Sequence, residues 1–482
     1  MTSTEKSFRS AATVKSADAP YRAVIRRNMA TYHTSVARGK QRFLDWENAR
    51  AHAAGIKWEV VNHLDRYLEQ FESNLVKNGA QVHWAEDAAE AKAIILEIAR
   101  SHGVRTVVKS KSMVTEEIHL NEALAAAGIK SVETDLGEFI CQLRDEPPYH
   151  LVTPAMHLSR TDFSREFHEK LGAPVTEDPE ELTMIARRWL RKDFLTADMG
   201  ITGANFAVAD PGMIALTENE GNIRLCFSLP RVHVALVGIE KLVPRVEDLA
   251  LLWPVLGTAG TGQALTAYSS LVGGPRAAGE IDGPEEFHVV LLDNGRTRLL
   301  ADVEQRDALQ CIRCGACLNS CPIYESVGGY TYATTYQGPI GSVITPHLRG
   351  YADWSHLSYA SSLCGACTSV CPVHIDLHRH LLQNRRNAVQ QRLDPLYQRV
   401  AFRVFRWLVN SGRRFAIVGK LGRLALRLGI TRPFTRPWTA TRDLPPPPAQ
   451  SFRAWWAATQ TARPPAGETA PAQQPPGGPT LR

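Results

Sequence analysis

Residues 311–322 read Cys-Ile-Arg-Cys-Gly-Ala-Cys-Leu-Asn-Ser-Cys-Pro, and residues 362–372 read Ser-Leu-Cys-Gly-Ala-Cys-Thr-Ser-Val-Cys-Pro. The first stretch has the spacing C-x2-C-x2-C-x3-C-P, which bacterial two-cluster ferredoxins use to hold iron–sulfur clusters. The second stretch repeats this spacing without its first cysteine. Because seven of the nine cysteines lie in these two stretches, the sequence predicts a ferredoxin-like iron–sulfur domain over residues 302–385.

The ligand sets follow from the rule that the fourth cysteine of each stretch serves the other cluster. Cluster one would take Cys311, Cys314, Cys317 and Cys371, and cluster two would take Cys321, Cys364 and Cys367. The remaining position of cluster two is occupied by Ser361. We therefore predict [4Fe-4S] for cluster one. Cluster two is predicted to be [4Fe-4S] with a ligand such as Ser361 or water, or [3Fe-4S], and a labile iron also stays open.

Zinc is the alternative metal for clustered cysteines. A structural zinc site usually has pairs of cysteines that are separated by a longer spacer and that supply four ligands. Seven cysteines, with a proline after the last cysteine of each stretch, fit that pattern poorly. Two further cysteines, Cys141 and Cys226, lie in apolar surroundings, and we expect both to be core residues.

An α/β domain is predicted over residues 57–300. From about residue 79, short apolar strands alternate with helices, which indicates βαβ units and a parallel sheet. The predicted strands are 81–85, 105–109, 129–134, 150–155, 205–210, 213–218, 222–227, 232–239 and 288–293. The predicted helices are 87–102, 113–127, 164–171, 178–194 and 246–255. A glycine-rich loop is expected at 257–274, with glycine spacing that does not match a dinucleotide site.

The turn after the strand at 105–109 is a candidate small-anion site. It contains Lys109, Ser110, Lys111 and Ser112, and ligands of open α/β sheets bind at the carboxyl ends of strands. The alternative is a capped helix start with two solvated lysines. The sequence shows no paired carboxylates, no nucleophile–base pair and no flavin fingerprint, so we assign no catalytic residue.

The two ends of the chain have different compositions. Residues 1–56 are predicted to be a disordered tail, to about residue 20, followed by a basic helix. Residues 393–456 form a basic helical region, in which residues 396–440 contain ten Lys or Arg and no acidic residue. This region would dock an acidic partner, lie on an anionic membrane surface or pack within the chain. Residues 457–482 are rich in Pro and Gly and are predicted to be disordered.

Charge and hydropathy limit the possible locations and partners. The net charge of +6 is mild, and nothing besides the basic region supports nucleic-acid binding, so none is predicted. We see no apolar run long enough for a membrane span and no apolar core of a secretory signal near the start. Together with the clustered cysteines, this favours a reduced, cytoplasmic protein, with peripheral membrane contact left open.

These residues together resemble the lactate utilisation protein B family, the iron–sulfur subunits of a three-protein bacterial L-lactate oxidation system. The resemblance is carried by residues 107–124, 133–160, 200–226, 234–244, 311–324 and 358–377. It implies an α/β LUD domain related to sugar-phosphate isomerase and CoA-transferase folds, then an α-helical two-cluster ferredoxin-like domain and a C-terminal helical region. It also implies the seven cysteines as cluster ligands, so Ser361 is no departure from the family.

The resemblance implies that the chain helps to oxidise L-lactate to pyruvate, which allows growth on lactate. The expected partners are a cysteine-rich subunit and a smaller LUD-domain subunit, and the chain itself would be a non-autonomous electron-transfer subunit. Two other hypotheses stay open. In one, the α/β domain is an enzyme that acts on a small organic acid at the turn of residues 109–112. In the other, the chain is a scaffold whose clusters sense redox state.

Overall fold

The computed structural model of the chain describes residues 2–440 and 442–461. The chain divides into two compact units, Met1–Leu393 and Asp394–Arg482. The first unit contains both the α/β part and the cysteine-rich part, and these share one hydrophobic core. Phe206 and Val243 of the α/β part lie in the same cluster of buried side chains as Cys314 and Cys317.

The described residues form ten strands in two sheets. The strands are β1 Gln81–Ala85, β2 Thr106–Lys109, β3 Lys130–Glu133, β4 Met199–Thr202, β5 Phe206–Asp210, β6 Met213–Glu218, β7 Val232–Gly238, β8 Leu242–Arg245, β9 Tyr268–Val272 and β10 Glu286–Leu292. The larger sheet has the order β1-β10-β7-β4-β2-β3, and all of its neighbours pair in parallel. The predicted parallel α/β sheet is therefore confirmed.

The smaller sheet has the order β8-β5-β6-β9, with β6 antiparallel to both of its neighbours. The predicted strands 205–210 and 213–218 lie in this sheet as β5 and β6, whereas the strand predicted at 232–239, β7, joins the larger sheet. Every residue of β7 is buried, as expected for a strand of a parallel sheet that is covered on both faces.

Two predicted strands are wrong, and in each a side chain satisfies the backbone locally. Residues 222–227 are helical, because the Glu218 carboxylate accepts hydrogen bonds from the backbone N–H groups of Ile223 (2.6 Å) and Arg224 (3.1 Å). Residues 150–155 form a loop, in which His150 Nδ1 accepts from the N–H groups of Val152 and Thr153 at 3.1 and 3.2 Å.

The N-terminal segment is helical, so the prediction of a disordered start is wrong. Its helices are α1 Ser3–Ala17, α2 Ala19–Lys40, α3 Trp46–Asn62 and α4 Leu64–Lys77. The hydroxyl of Thr2 caps α1 by accepting from the Glu5 N–H. The ring of Phe8 lies 5.7 Å from the ring of Tyr332, edge to face. This tertiary contact stabilises a helix whose polar composition alone does not predict it.

The remaining helices of the α/β part are α5 Ala88–Ser101, α6 Met113–Glu117, α7 Leu120–Ala126, α8 Leu136–Leu143, α9 Arg160–Leu171, α10 Pro179–Thr196, α11 Asn222–Ser228, α12 Leu249–Thr261 and α13 Arg296–Ala301. The single helix predicted over 113–127 is two helices, because His119 adopts a left-handed conformation between them. The start of the predicted loop at 257–274 is helical and belongs to α12. Gly260 of α12 approaches the cysteine region so closely that a Cβ there would lie 3.0 Å from the carbonyl oxygen of Cys314.

The cysteine-rich part is helical, as predicted. Its helices are α14 Ala316–Asn319, α15 Pro322–Val327, α16 Gly338–Arg349, α17 Tyr351–Trp354, α18 His356–Tyr359, α19 Ala366–Val370 and α20 Leu377–Gln390. Pro322 occupies the first turn of α15 directly after Cys321, where its missing N–H costs no hydrogen bond.

The second unit contains α21 Leu396–Val409, α22 Gly412–Arg427, α23 Arg432–Thr439 and α24 Phe452–Thr461. Helices α21 and α22 are described throughout, and none of their residues is buried. Helix α24 extends into the predicted disordered tail, and the rest of that tail, from residue 462, lies outside the described residues. Among the helices that the structure describes, none is long and apolar enough to cross a membrane.

Candidate iron–sulfur site

Four of the seven predicted cysteine ligands lie together, although they come from both stretches. The short helices α14 and α19, one in each stretch, pack against each other. Burial raises the pKa of Cys314 and Cys317, and the nearby thiols of Cys311 and Cys371 raise it further. We call Cys311, Cys314, Cys317 and Cys371 the inner group, because the last three are less than a tenth exposed.

The other three predicted ligands form a second set, the outer group. Burial raises the pKa of Cys367 to about 11, and the thiols of Cys321 and Cys364 contribute to this increase. Cys364 is exposed to solvent, and its pKa is lowered, above all by a hydrogen bond from the Ala366 N–H. The two groups have the same membership as the two ligand sets predicted from the spacing.

Both stretches fold into the same local loop. Arg313 and Leu363 each precede the second cysteine position and have left-handed backbones, with φ of 60° and 54°. Gly315 and Gly365 follow it, with φ of 77° and 82°. A left-handed backbone turns successive N–H groups towards one point, which suits a negatively charged sulfur cluster.

Backbone N–H groups lie next to the inner sulfur atoms. The Arg313 N–H donates to Cys311 Sγ at 3.4 Å, and the Ile375 N–H donates to Cys371 Sγ at 3.3 Å. Hydrogen bonds to the sulfurs are one way by which a protein adjusts the reduction potential of a cluster. These loops therefore fit an iron–sulfur cluster. Among the described residues, no three Cys, His, Asp or Glu side chains are arranged to hold a single metal ion.

The inner group also lies among buried positive charges. Arg50 Nε and Nη2 donate to the carbonyl oxygen of Cys371 at 3.1 and 2.7 Å. Burial lowers the pKa of Lys57 to about 7, while Cys311 is among the groups that favour its charged form. Lys57 Nζ donates to the carbonyl oxygens of Glu240 and Leu242 at 2.8 and 2.7 Å.

Two buried carboxylates balance part of this positive charge. Arg296 pairs with Glu117 at 2.8 Å and with Glu240, and Arg313 Nη2 pairs with Glu240 Oε1 at 3.2 Å. Lys241 is also buried, and burial lowers its pKa to about 8. Since cations outnumber carboxylates here, an anionic cluster in the inner group would compensate the excess charge.

The serine at the missing corner has a partner of its own. Ser361 Oγ accepts from the Leu363 N–H at 3.1 Å, and Arg385 Nη2 donates to the Ser361 carbonyl oxygen at 3.1 Å. The neighbouring hydroxyl of Ser362 hydrogen-bonds to Cys364. Two hydroxyl groups therefore flank the outer group, where the sequence considered only the first.

The turn after β2 differs from both descriptions that the sequence allowed. Lys109 is fully buried, and its ammonium contacts Thr115 Oγ1 at 3.1 Å, Glu116 Oε1 at 3.0 Å and Glu133 Oε1 at 2.8 Å. An ammonium has three donors, so Lys109 is neither solvated nor free to bind an anion. Removing it from the candidate anion site is a correction.

The other three residues of the turn line a cavity, but with different partners. Lys111 Nζ contacts Asp135 Oδ2 at 3.1 Å and the Val152 carbonyl oxygen at 2.8 Å, and Ser112 caps α6. Ser110 Oγ has no hydrogen-bond partner among the described residues. The same cavity is lined by Lys241 and Arg313, which sequence reasoning missed. The one available signal was an arginine inside the first cysteine stretch.

The two remaining cysteines are core residues, as expected, with exposures of 1% for Cys141 and 0% for Cys226. Cys226 lies on α11 rather than on a strand. Its hydroxyl neighbour is Thr134, whose Oγ1 is 3.4 Å from the sulfur.

Comparison with known families assigns the two parts of the first unit to two different families. Residues 68–292 match the family described as the LUD domain. Residues 307–375 match the family described as the 4Fe-4S dicluster domain. The second match covers all seven cysteines of the inner and outer groups, so this part of the chain is an iron–sulfur domain.

Curated relatives cover almost the full chain. A protein of Escherichia coli (strain K12) described as "Uncharacterized electron transport protein YkgF" is 42% identical over 449 residues, which cover 90% of this chain and 93% of that protein. Lactate utilization protein B of Bacillus velezensis is 45% identical over 426 residues, with 86% and 88% covered. That of Bacillus subtilis (strain 168) is 43% identical over 432 residues, with 87% and 89% covered. The chain belongs to the lactate utilization protein B family.

Proposed function

We propose that this chain is the iron–sulfur electron-transfer subunit of a system that oxidises L-lactate to pyruvate and allows growth on lactate. The observation that carries the proposal is the convergence of the seven cysteines into an inner group of four and an outer group of three. Relatives of this chain are described as lactate utilization and electron transport proteins, which supports the substrate and the type of reaction.

In this proposal, Cys311, Cys314, Cys317 and Cys371 hold a [4Fe-4S] cluster. Cys321, Cys364 and Cys367 hold a second cluster, which is [4Fe-4S] with a non-cysteine ligand or [3Fe-4S]. Such clusters, when bound, accept and donate single electrons. Two of them would let one chain handle the two electrons that leave lactate when it becomes pyruvate.

The protein's own contribution is to set the surroundings of each cluster. The helices α2 and α3 and the LUD domain cover the inner group and exclude water from it. Arg50 and Lys57 place positive charge beside the inner group, which favours the reduced, more negative state. The outer group, with exposed Cys364, is open to an electron-transfer partner.

We propose that this partner belongs to the same lactate system, as either the cysteine-rich subunit or the smaller LUD-domain subunit. The docking surface is the exposed face of α21 and α22, where Arg403 and Arg406 alternate with exposed apolar side chains such as Phe402 and Phe405. An acidic surface on the partner would match this charge. Cysteines clustered for metal binding rather than for disulfides further support the cytoplasm as the compartment in which the system works.

The test is anaerobic reconstitution of the full chain, followed by metal analysis and electron paramagnetic resonance of its oxidised and reduced forms. We expect about seven to eight irons per chain and signals from two clusters. A reconstituted chain that contains zinc and no iron would overturn the proposal.

Growth gives a second, independent test. A strain that carries the double variant Cys311→Ser/Cys364→Ser should lose growth on L-lactate, because each substitution removes a thiolate from one cluster. Normal growth of that strain would instead favour a redox-sensing scaffold. Oxidation of lactate by the isolated chain with an artificial electron acceptor would show that the chain is an enzyme by itself.

A further inference from the structure

A cavity of about 100 Å³ lies between the LUD domain and the first cysteine stretch. Its floor comes from the ends of β2 and β4, where Ser110 and Gly203 lie, and its opposite wall contains Arg313 and Tyr336. Gly203 is required there, because a Cβ would lie 2.5 Å from Ser112 Oγ. The volume admits only a small molecule.

Three side chains that line this cavity carry donors without a partner among the described residues. Lys241 is 7% exposed, and its ammonium makes no hydrogen bond and no ion pair with any described residue. Ser110 Oγ is fully buried and unpaired, and so are Nε and Nη1 of Arg313, whose side chain is 10% exposed. Buried donors without acceptors are costly, so native structures rarely leave several of them side by side.

A carboxylate would satisfy all three side chains at once. It offers two oxygens with about four acceptor positions, and it matches the fork of an arginine guanidinium. The rest of the lining is mixed: Leu151, Leu216 and Ile223 are apolar, whereas Lys111, Ser112, Asn205 and Tyr336 are polar. The apolar members can contact a short carbon chain, which a small carboxylic acid has and inorganic phosphate lacks.

The charge of a cluster in the inner group does not explain these donors by itself. Lys57 is equally buried and is also near Cys311, but both of its described contacts are carbonyl oxygens and it does not line the cavity. Lys241 shares Glu240, Cys311 and Arg313 with Lys57 as charged neighbours, yet it lines the cavity and has no described hydrogen-bond acceptor. The difference between these two lysines indicates a ligand that occupies that cavity.

We propose that this cavity binds the carboxylate of a small organic acid, with Lys241, Arg313 and Ser110 as its donors. Arg313 lies between Cys311 and Cys314, so the bound acid would contact the loop that holds the inner group. The choice of L-lactate as the first acid to test rests on the proposed function, whereas the carboxylate chemistry rests on the cavity alone.

The experiment is calorimetric titration of the anaerobically reconstituted full chain with L-lactate, and in parallel with acetate and inorganic phosphate. We expect one L-lactate per chain. Lys241→Met should weaken its binding by about 10- to 100-fold, as for loss of a charged hydrogen bond. Iron content and visible absorption should not change.

Two further variants keep the test decisive. Ser110→Ala removes a hydroxyl that has no protein partner, so it should fold normally and weaken binding roughly 3- to 10-fold. Lys57→Met is the matched control. It removes another buried ammonium that lies near Cys311 but does not line the cavity. It should weaken L-lactate binding much less than Lys241→Met does.

Several results would overturn the inference. They are the absence of binding by L-lactate and acetate, tighter binding of phosphate than of either acid, or an equal loss in Lys57→Met and Lys241→Met. A chain that contains both clusters but binds no carboxylate would refute this inference and leave the proposed function intact. A chain that binds L-lactate through Lys241 but contains no iron would refute the proposed function and leave this inference intact.

Discussion

The inner and outer cysteine groups come from one repeated motif but have become different sites. In the inner group, Cys314, Cys317 and Cys371 are buried, whereas in the outer group only Cys367 is buried and Cys364 is exposed. The two loops have left-handed backbone conformations at the same two positions. The difference therefore comes from what packs against each loop, as where Gly260 of α12 closely approaches Cys314 in the first loop.

The charges follow the same division. Arg50 contacts the inner stretch through two hydrogen bonds to Cys371, and Lys57 and Lys241 lie near Cys311. The outer stretch is contacted by Arg385, which is only half-buried and bonds to a serine carbonyl. A duplicated motif thus places its cysteines in two groups, while the surrounding fold gives each group a different environment.

The largest expected effect distinguishes the two groups by what their loss does to the fold. Cys317→Ser should remove the inner cluster from the core, cost about 4 kcal/mol or more of unfolding free energy and lose nearly all iron, since loss of a metal site is among the most destabilising changes. Cys364→Ser, at the surface, should lose only the outer cluster and keep the melting temperature within a few degrees. Anaerobic iron analysis and thermal denaturation measure both.

An inner variant that keeps the outer cluster and the normal melting temperature would break this comparison. It would mean that the two groups fold independently, in spite of the contact between α14 and α19.

The second prediction concerns a variant that gives the outer group four cysteines, as the inner group has. Ser361→Cys supplies the missing thiolate, so the outer cluster should keep its fourth iron during mild oxidation, and any three-iron resonance signal of the unaltered chain should disappear. Ser362→Cys is the matched control, because that hydroxyl already contacts Cys364. If Ser362→Cys, and not Ser361→Cys, stabilises the fourth iron, the open corner lies one residue further along than the spacing predicts.

The third prediction uses a nearby arginine of each group to shift the reduction potentials of the two clusters separately. Arg50→Met removes a buried positive charge beside the inner group. It should lower the reduction potential of the inner cluster by roughly 30–100 mV without changing that of the outer cluster. Arg385→Met should move only the outer potential, and by less, because solvent screens that charge. Redox titration followed by resonance spectroscopy resolves the two. Equal shifts of both potentials in either variant would contradict the division.

The smallest expected effect concerns the cover over the region between the groups. Phe8 packs on Tyr332, which lies close to both Cys317 and Cys321. Phe8→Ala should lower the free energy of unfolding by about 1 kcal/mol, as for loss of an aromatic pair. Val14→Ala, at a site that is 64% exposed, should change it by less than about 0.5 kcal/mol. Urea denaturation of the reconstituted chain would show whether α1 contributes to this region at all.

Local signals in the sequence predicted the features that depend on local structure. The cysteine spacing predicted how the seven cysteines are grouped in the structure, and the alternation of apolar strands with helices predicted the parallel sheet. Asp87 marks the start of α5 in the sequence, and in the structure its carboxylate accepts from the N–H groups of Ala89 and Glu90. Each of these signals involves residues that are close in the chain.

The features that the sequence did not reveal depend on distant contacts. Ser110, Lys241 and Arg313 meet only because β2, the turn after β7 and the first cysteine loop end at the same cavity, and no spacing along the chain encodes that meeting. Lys109 has a side chain that could bind an anion, but its ammonium pairs with Glu133 of the neighbouring strand β3. Helix α11 has apolar residues that also suit a strand. It is helical because Glu218 accepts hydrogen bonds from the N–H groups of its first turn.

The association of Cys371 with the first three cysteines has a consequence for biosynthesis. Cys371 is made 50 residues after Cys321, or about 3–10 s later at ordinary rates of translation. During that interval the nascent chain exposes three thiols of the inner group without their fourth partner. Iron–sulfur delivery to this protein should therefore follow synthesis of the second stretch, and a chain interrupted between the two stretches should leave the ribosome without a complete cluster.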